Sequence, residues 1–183
     1  MPCALTTGFT LDCKDAIGGV KSVRLTTLAE YEALVPTYLD GDITAWGVAA
    51  TVFFKYDQLK ETSSLTETIN SSVQNGSVYF TPEVTIVMSK LDAERRNEIK
   101  LLAQNRLVAI VETNDETAGY FVCGVTTGLE VSAGTSATGA AYADLQGYTI
   151  TFSGMEAAPM WQLDPSAAAT LLTECTNTTS YPA

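Results

Sequence analysis

The chain has 183 residues, 46% of them hydrophobic, with 21 Asp and Glu against 10 Lys and Arg and a formal net charge of −11. That length favours one domain with a real core, and a charged share of only 17% excludes an acidic disordered protein. The charge opposes non-specific binding to DNA or anionic membrane, and the absence of histidine excludes Ser-His and Cys-His nucleophile pairs and His-ligated metals.

Residues 1–20 read as an N-terminal arm ending in the turn signal Gly18-Gly19. The opening residues lack a basic region followed by an apolar run, so no signal peptide is expected. No stretch reaches the roughly 18 apolar residues of a membrane span. Synthesis in the cytoplasm is the expectation. Residues 21–27 predict a strand with Val23 and Leu25 on one face. Residues 28–39 space their apolar side chains irregularly, which suits a helical turn or a loop. Asp40-Gly41-Asp42 is a turn signal. Residues 43–56 are apolar, β-branched and aromatic, and predict one strand buried on both faces in its middle. Residues 57–75 are polar and rich in Ser and Thr. They predict a long loop, with Leu59, Leu65 and Ile69 as its apolar edge.

Asn75-Gly76 announces a return strand over residues 77–89, where Val78, Phe80, Val84, Ile86 and Met88 share one face. Pro82 inside it points to an edge position or a bulge. A helix follows over residues 92–104. Asp92 is its cap, Leu91 a staple candidate, and Glu94 lies in the first turn. Ile99, Leu102 and Ala103 form its core stripe, while Arg95, Arg96, Glu98 and Lys100 face water or a neighbouring subunit. Asn105 suits the left-handed C-terminal position. Residues 106–112 and 119–127 predict strands separated by an Asn114-Asp115 turn. Residues 130–143, mostly Gly, Ala, Ser and Thr, specify a strand weakly and suit a loop ordered by a neighbour. Alternation returns over residues 147–152, with Tyr148, Ile150 and Phe152 on one side. Periodicity is lost after Pro159. The expected organisation is the arm 1–20, a single β-rich domain over 21–158, and a C-terminal extension over 159–183 with small anchors such as Trp161. The expected fold is mainly β, an antiparallel barrel or sandwich with one flanking helix.

Little in the chain points to chemistry. Cys3, Cys13, Cys123 and Cys175 form no Cys-x-x-Cys pair, so reduced thiols are expected, with Cys123 in the core. The Gly-rich pieces lack the Lys-Ser/Thr of a phosphate loop, and Asp12 and Asp15 lack EF-hand spacing. The carboxylates show no pairing that implies acid–base work. Neither an enzymatic activity nor a cofactor or metal is expected. The aromatic residues on predicted strands suit core and cross-strand packing. The charge is uneven: after Arg106 come eight carboxylates and no base. Such a surface either solubilises the chain or repels a polyanion, as the lumen of a DNA conduit must. Glu112, Glu130 and Asp144 are the candidate lumen residues.

The run TVFFKYDQLKETSSLTETINSSVQNGSVYFTPEVTIVMSKLDAERRNEIKLLAQNRLVAIVETND, continued by GYTITFSGMEAAP, resembles structural proteins of tailed bacteriophages, most of all a tail tube protein. The likeness covers about residues 45–160 and is strongest at SSLTETINSSVQNGSVYF and DAERRNEIKLLAQN. It implies subunits joined edge to edge into hexameric rings that stack helically into a hollow tube in the virion tail. It implies an acidic inner wall and a loop, here residues 57–75 with Leu59, Leu65 and Ile69, that reaches the adjacent ring. Partners implied are further copies of the chain, a tape-measure protein and a tail terminator. Viral DNA would pass without specific binding, and no membrane is involved. Tubes of phage-derived injection systems are related. Two other readings fit the residues: a capsid-decorating, head–tail joining or terminator protein, and a small-molecule-binding β-sandwich.

Overall fold

The computed structural model describes residues 8, 17–47, 53–115, 119–164 and 168. Its centre is the strand with the sequence LVAIVET, whose first six residues are all buried. Alternation sends Leu107, Ala109 and Val111 to one side and Val108, Ile110 and Glu112 to the other. A strand buried on both faces needs packing above and below it, and the remaining elements supply both layers.

In chain order the elements are β1 (Val20–Thr27), α1 (Leu28–Ala33), β2 (Thr37–Leu39), β3 (Asp42–Ala45), β4 (Phe54–Asp57), β5 (Ser64–Ser72), β6 (Ser77–Ser89), α2 (Ala93–Gln104), β7 (Leu107–Thr113), β8 (Tyr120–Cys123), β9 (Glu130–Ala137), β10 (Gly147–Ser153) and β11 (Trp161–Leu163). They form a seven-stranded sheet in the order β2-β3-β11-β8-β7-β1-β4 and a four-stranded sheet in the order β5-β6-β10-β9. The fold is mainly β with two sheets. Among the described strands only the β11–β3 pair is parallel.

The two sheets enclose one core. Val23 and Leu25 of β1, Ala109 and Val111 of β7, Val84 and Ile86 of β6, and Ile150 and Phe152 of β10 meet there, closed at one end by Leu102 of α2. A second core covers the opposite face of the larger sheet. Val108, Ile110, Val122 and Leu163 pack there under Tyr31 of α1 and Leu34 just after it, with Trp46 and Phe53. The Trp46 and Phe53 rings stack at 6.0 Å, and Trp46 Nε1 is buried without a hydrogen-bond partner. Cys123 lies in the first core, where burial pushes its thiol up to about 12, so it stays protonated at neutral pH.

Local chemistry explains the element ends. Thr27 caps α1 by accepting from the Glu30 amide, and its hydroxyl donates to the Glu30 carboxylate at 3.2 Å, so the pair ties the first turn from both sides. Asp40 and Gly41 both have positive φ, 52° and 100°, which a two-residue turn between β2 and β3 requires. Asp92 accepts from the Arg95 amide at 2.8 Å to start α2. Gly147 pairs with Ser89 so closely that a Cβ would lie 2.2 Å from the Met88 carbonyl oxygen.

Several expectations change. Residues 43–56 are two strands on opposite sides of the larger sheet, β3 near one edge and β4 at the other. The doubly buried strand is β7. Residues 28–39 contain the helix α1, so the described residues hold two helices. Residues 57–75 are mostly strand: β5 pairs with β6 through nine residues. Residues 130–137 form β9, held by β10. Pro82 sits in an interior strand opposite Gly154. Gly154 donates to the Pro82 carbonyl at 3.3 Å, and proline has no N–H to return the bond. Ala103 is exposed, because the buried side of α2 runs through Arg95, Glu98, Ile99 and Leu102. Glu98 accepts from the Tyr56 hydroxyl at 2.9 Å and so faces the fold. Asn105 is extended, with φ −112°, and its side chain caps the Leu101 carbonyl instead. The chain beyond Pro159 supplies β11, which lies between β3 and β8 inside the larger sheet.

Truncating β7 tests its place at the centre. Ile110→Ala should lower unfolding free energy by about 2–5 kcal/mol, and Ala103→Gln should change it by less than about 0.5 kcal/mol. Urea denaturation of both variants separates the two sites. Equal midpoints would contradict the assignment of faces.

Candidate functional site

The outer face of the four-stranded sheet is a regular surface built by four paired strands. Its make-up follows from register. Val84, Ile86, Ile150 and Phe152 fill the core. Their alternating neighbours Glu83, Thr85, Thr149, Thr151 and Ser153 therefore point outward. Rows run across the sheet as Ser64–Thr85–Thr151 and Thr66–Glu83–Ser153–Glu130. The hydroxyls satisfy one another: Thr85 and Thr151 lie 3.2 Å apart, and Asn70 donates to Thr81 at 3.0 Å. None of the four strands contains Lys or Arg. The strands of the wall thus present mostly hydroxyls with two carboxylates, and the one base beside them, Arg106, is paired with Glu130 at 3.2 Å.

Both lateral edges of this sheet, β5 and β9, carry no further strand among the described residues. The β5–β6 hairpin also runs past the end of β10. β10 pairs with β6 from Ser89 only to Glu83, whereas β5 continues to Ser72 opposite Ser77. On the core-facing side the projecting half carries Ile69 and Val78 alongside Glu67 and Ser71. Ile69 is 67% exposed and Val78 55%, with Val73 at the tip 94% exposed. Such a face on a lone subunit is an aggregation hazard unless a partner covers it.

The residues singled out from sequence land in different places. Ile69 lies on the projecting hairpin. Leu65 turns inward and packs against the core, so it cannot serve as an exposed contact. Leu59 is exposed in the turn before β5, beside a cleft of about 350 Å³ between β4, β6 and α2. Gln58 organises that turn, accepting from Ser63 at 2.6 Å and from the Val87 amide at 2.9 Å. Val73 and Val78 carry the same exposure as Ile69; the strand alternation of residues 64–72 was the signal that would have exposed the hairpin.

The three candidate lumen carboxylates divide as well. Glu130 lies on the outer wall, exposed, paired with Arg106 at 3.2 Å. Asp144 lies in the turn between β9 and β10. It accepts from the Ala140 and Ala141 amides at 2.8 Å each, which holds its carboxyl below the usual range. Glu112 is buried on the far face of the larger sheet and belongs to no wall. A β-bulge between Val20 and Ser22 turns both Lys21 and Ser22 toward it. Lys21 meets it at 2.7 Å, Ser22 donates at 2.7 Å and Arg24 at 3.2 Å. Arg24 also lies 5.5 Å from the Tyr120 ring centre. Burial pushes the Glu112 carboxyl up, but Lys21, Ser22 and Arg24 outweigh it and hold the group below its ordinary value.

Glu156 is the other buried carboxylate among the described residues. It accepts from the Thr126 amide at 3.1 Å and the Thr127 amide at 3.1 Å, and so pins the loop before β9 to the chain after β10. Both buried carboxylates are consumed by such bonds. Among the described residues no group of three or more His, Cys, Asp or Glu is placed to hold a metal, and no helix is long and apolar enough to cross a membrane.

No family model matches the chain, and no curated protein and no solved structure matches it either.

The lowered pKa of Glu112 fixes a pH dependence. A carboxylate depressed in the folded state contributes stability that is present above its unfolded value and lost as pH falls through its folded one. Glu112→Gln should therefore cost about 1–3 kcal/mol near neutral pH. The gap between wild type and variant should close in acid. Melting temperatures from pH 7 downward check this, and a gap that widens in acid would refute it.

Proposed function

We propose that the chain is the subunit of a hollow tube of the kind found in tailed-phage tails, built by self-association and serving as a passive conduit for DNA. The observation that carries this reading is the outer wall of the four-stranded sheet, where Glu83 and Glu130 face outward and none of the four strands holds a base. A conduit must let a polyanion slide. A wall of self-bonded hydroxyls with scattered carboxylates, its one neighbouring base Arg106 held by Glu130, offers DNA little attractive charge.

The edges support assembly. Joining β5 of one copy to β9 of the next would extend the sheet around a ring and remove two unpaired backbone ladders per subunit. Because the two edges differ, the contact is heterologous, which closes into a ring or runs on as a filament. The projecting hairpin, with Ile69, Val73 and Val78 exposed, suits insertion against an adjacent ring. A tape-measure protein within the tube and a terminator at its end would be the implied partners, and the tail of a virion its place. No observation favours a capsid-decorating role or a ligand-binding role over this one.

Negative-stain electron microscopy of the purified protein over a concentration series tests the reading. Hollow filaments or stacked rings are expected, and discrete particles without a channel would sink it. Ile69→Asp with Val78→Asp should abolish stacking and leave the circular dichroism spectrum unchanged. Thr66→Lys with Thr149→Lys should give tubes that retain DNA at low salt and release it at high salt. Tubes of this variant that ignore DNA would show that the wall is not the lumen.

A further inference from the structure

The two edges of the seven-stranded sheet have opposite character. At one edge, residues 28–47 contain Glu30, Glu32, Asp40 and Asp42 and no base. The edge strand there is β2, three exposed residues long, with Tyr38 39% and Leu39 60% exposed. At the other edge, residues 54–61 and 89–100 hold six of the ten Lys and Arg in the chain, against five carboxylates. In a chain of net charge −11 this is a local reversal of sign. The edge strand there is β4, four residues long. Beside it runs an apolar groove between β4, β1 and α2, lined by Leu25, Phe54, Leu101 and Leu107, with Phe54 42% and Leu101 54% exposed. Lys55 and Arg95 line the adjoining cleft.

We propose that the β2 edge of one copy docks on the β4 edge of the next. The occupant of the β4 groove is a second copy of this chain, presenting Tyr38 and Leu39 to the apolar floor and its carboxylates to the flanking cations. The match is threefold: short strand against short strand, exposed apolar against exposed apolar, and acid against base. Pairing also protects two edges that carry no further strand among the described residues. This contact is separate from the β5 and β9 edges, so a subunit owns two heterologous joints, one in each sheet. The inference rests on reading the chain as a self-assembling subunit and adds which charges direct the second joint.

A charge-swap pair tests it. Variant one carries Glu32→Lys, Asp40→Lys and Asp42→Lys, which leaves Glu30 against three lysines and makes the β2 edge basic. Variant two carries Lys55→Glu and Arg95→Glu, which makes the β4 edge acidic. The second substitution leaves an acidic residue three positions after Asp92, so the helix start stays capped. Equal melting temperatures and circular dichroism spectra establish that both variants fold. Sedimentation velocity then measures association of each alone and of an equimolar mixture. Each variant alone should associate at least about tenfold more weakly than wild type. The mixture should recover, because every edge in it again meets its opposite. Variants that associate as wild type does, or a mixture that stays dissociated, would overturn the edge pairing while leaving the tube reading standing. A wild-type chain that remains monomeric at every concentration would bring down both.

Discussion

The rest of the structure depends on β7 being buried on both faces. One strand with six consecutive buried residues serves as the shared wall of two cores. Its apolar surface has no solvent-facing side, so the sheet around it must be covered above and below. The four-stranded sheet provides one cover. α1 and the Trp46–Phe53 stack provide the other. Burial of each large apolar side chain contributes roughly 1.5–3 kcal/mol, and β7 concentrates these on the element to which both layers attach. Glu112 ends this buried run, and it is tolerated because the bulge in β1 brings two cations and a hydroxyl to it.

That arrangement spends the apolar residues of β7 inside, yet leaves others uncovered at the margins. β6 is 13 residues long, and β10 spans only seven of them. The hairpin therefore outruns the core it helps to build, and its alternation keeps presenting Ile69 and Val78 on the core-facing side where no core remains. Four strands end the two sheets, each with one unpaired backbone side among the described residues. For a lone subunit this is a costly surface. For a repeating subunit it is a set of joints.

Charge is sorted by sheet. The four-stranded sheet has no base in any strand, and its polar face is mostly hydroxyl. The cations gather near α2 and the β4 edge, where the Lys55–Asp57 and Arg95–Asp92 pairs lie. Exposed pairs of this type contribute little to stability. Their value is in where they place the field. A surface whose strands carry no base and a separate edge enriched in them are suited to different tasks.

Much of this was legible in the residues. Strand alternation at 77–89 and 147–152, the Asp92 cap, the Asp40-Gly41 turn and the Cys123 core position are local signals, carried by side-chain period and by backbone conformations that few residues adopt. The division of charge at Arg106 is also plain in the chain. Other features were decided by partners far away in sequence. β9 is a strand because β10 holds its Gly- and Ser-rich backbone, which has no pattern of its own. β11 joins the larger sheet because β3 and β8 leave a gap it can pair across. Residues 64–72 alternate weakly, and only their ladder with β6 shows which side is apolar. Glu112 reads as one more acidic residue until the bulge in β1 surrounds it. The sequence by itself determined the β-rich class, the helix and the acidic, base-poor second half, because these follow from local propensity and composition. Tertiary structure alone decided which carboxylates are exposed, which edges are free and which apolar residues lack a core, because each depends on what packs opposite.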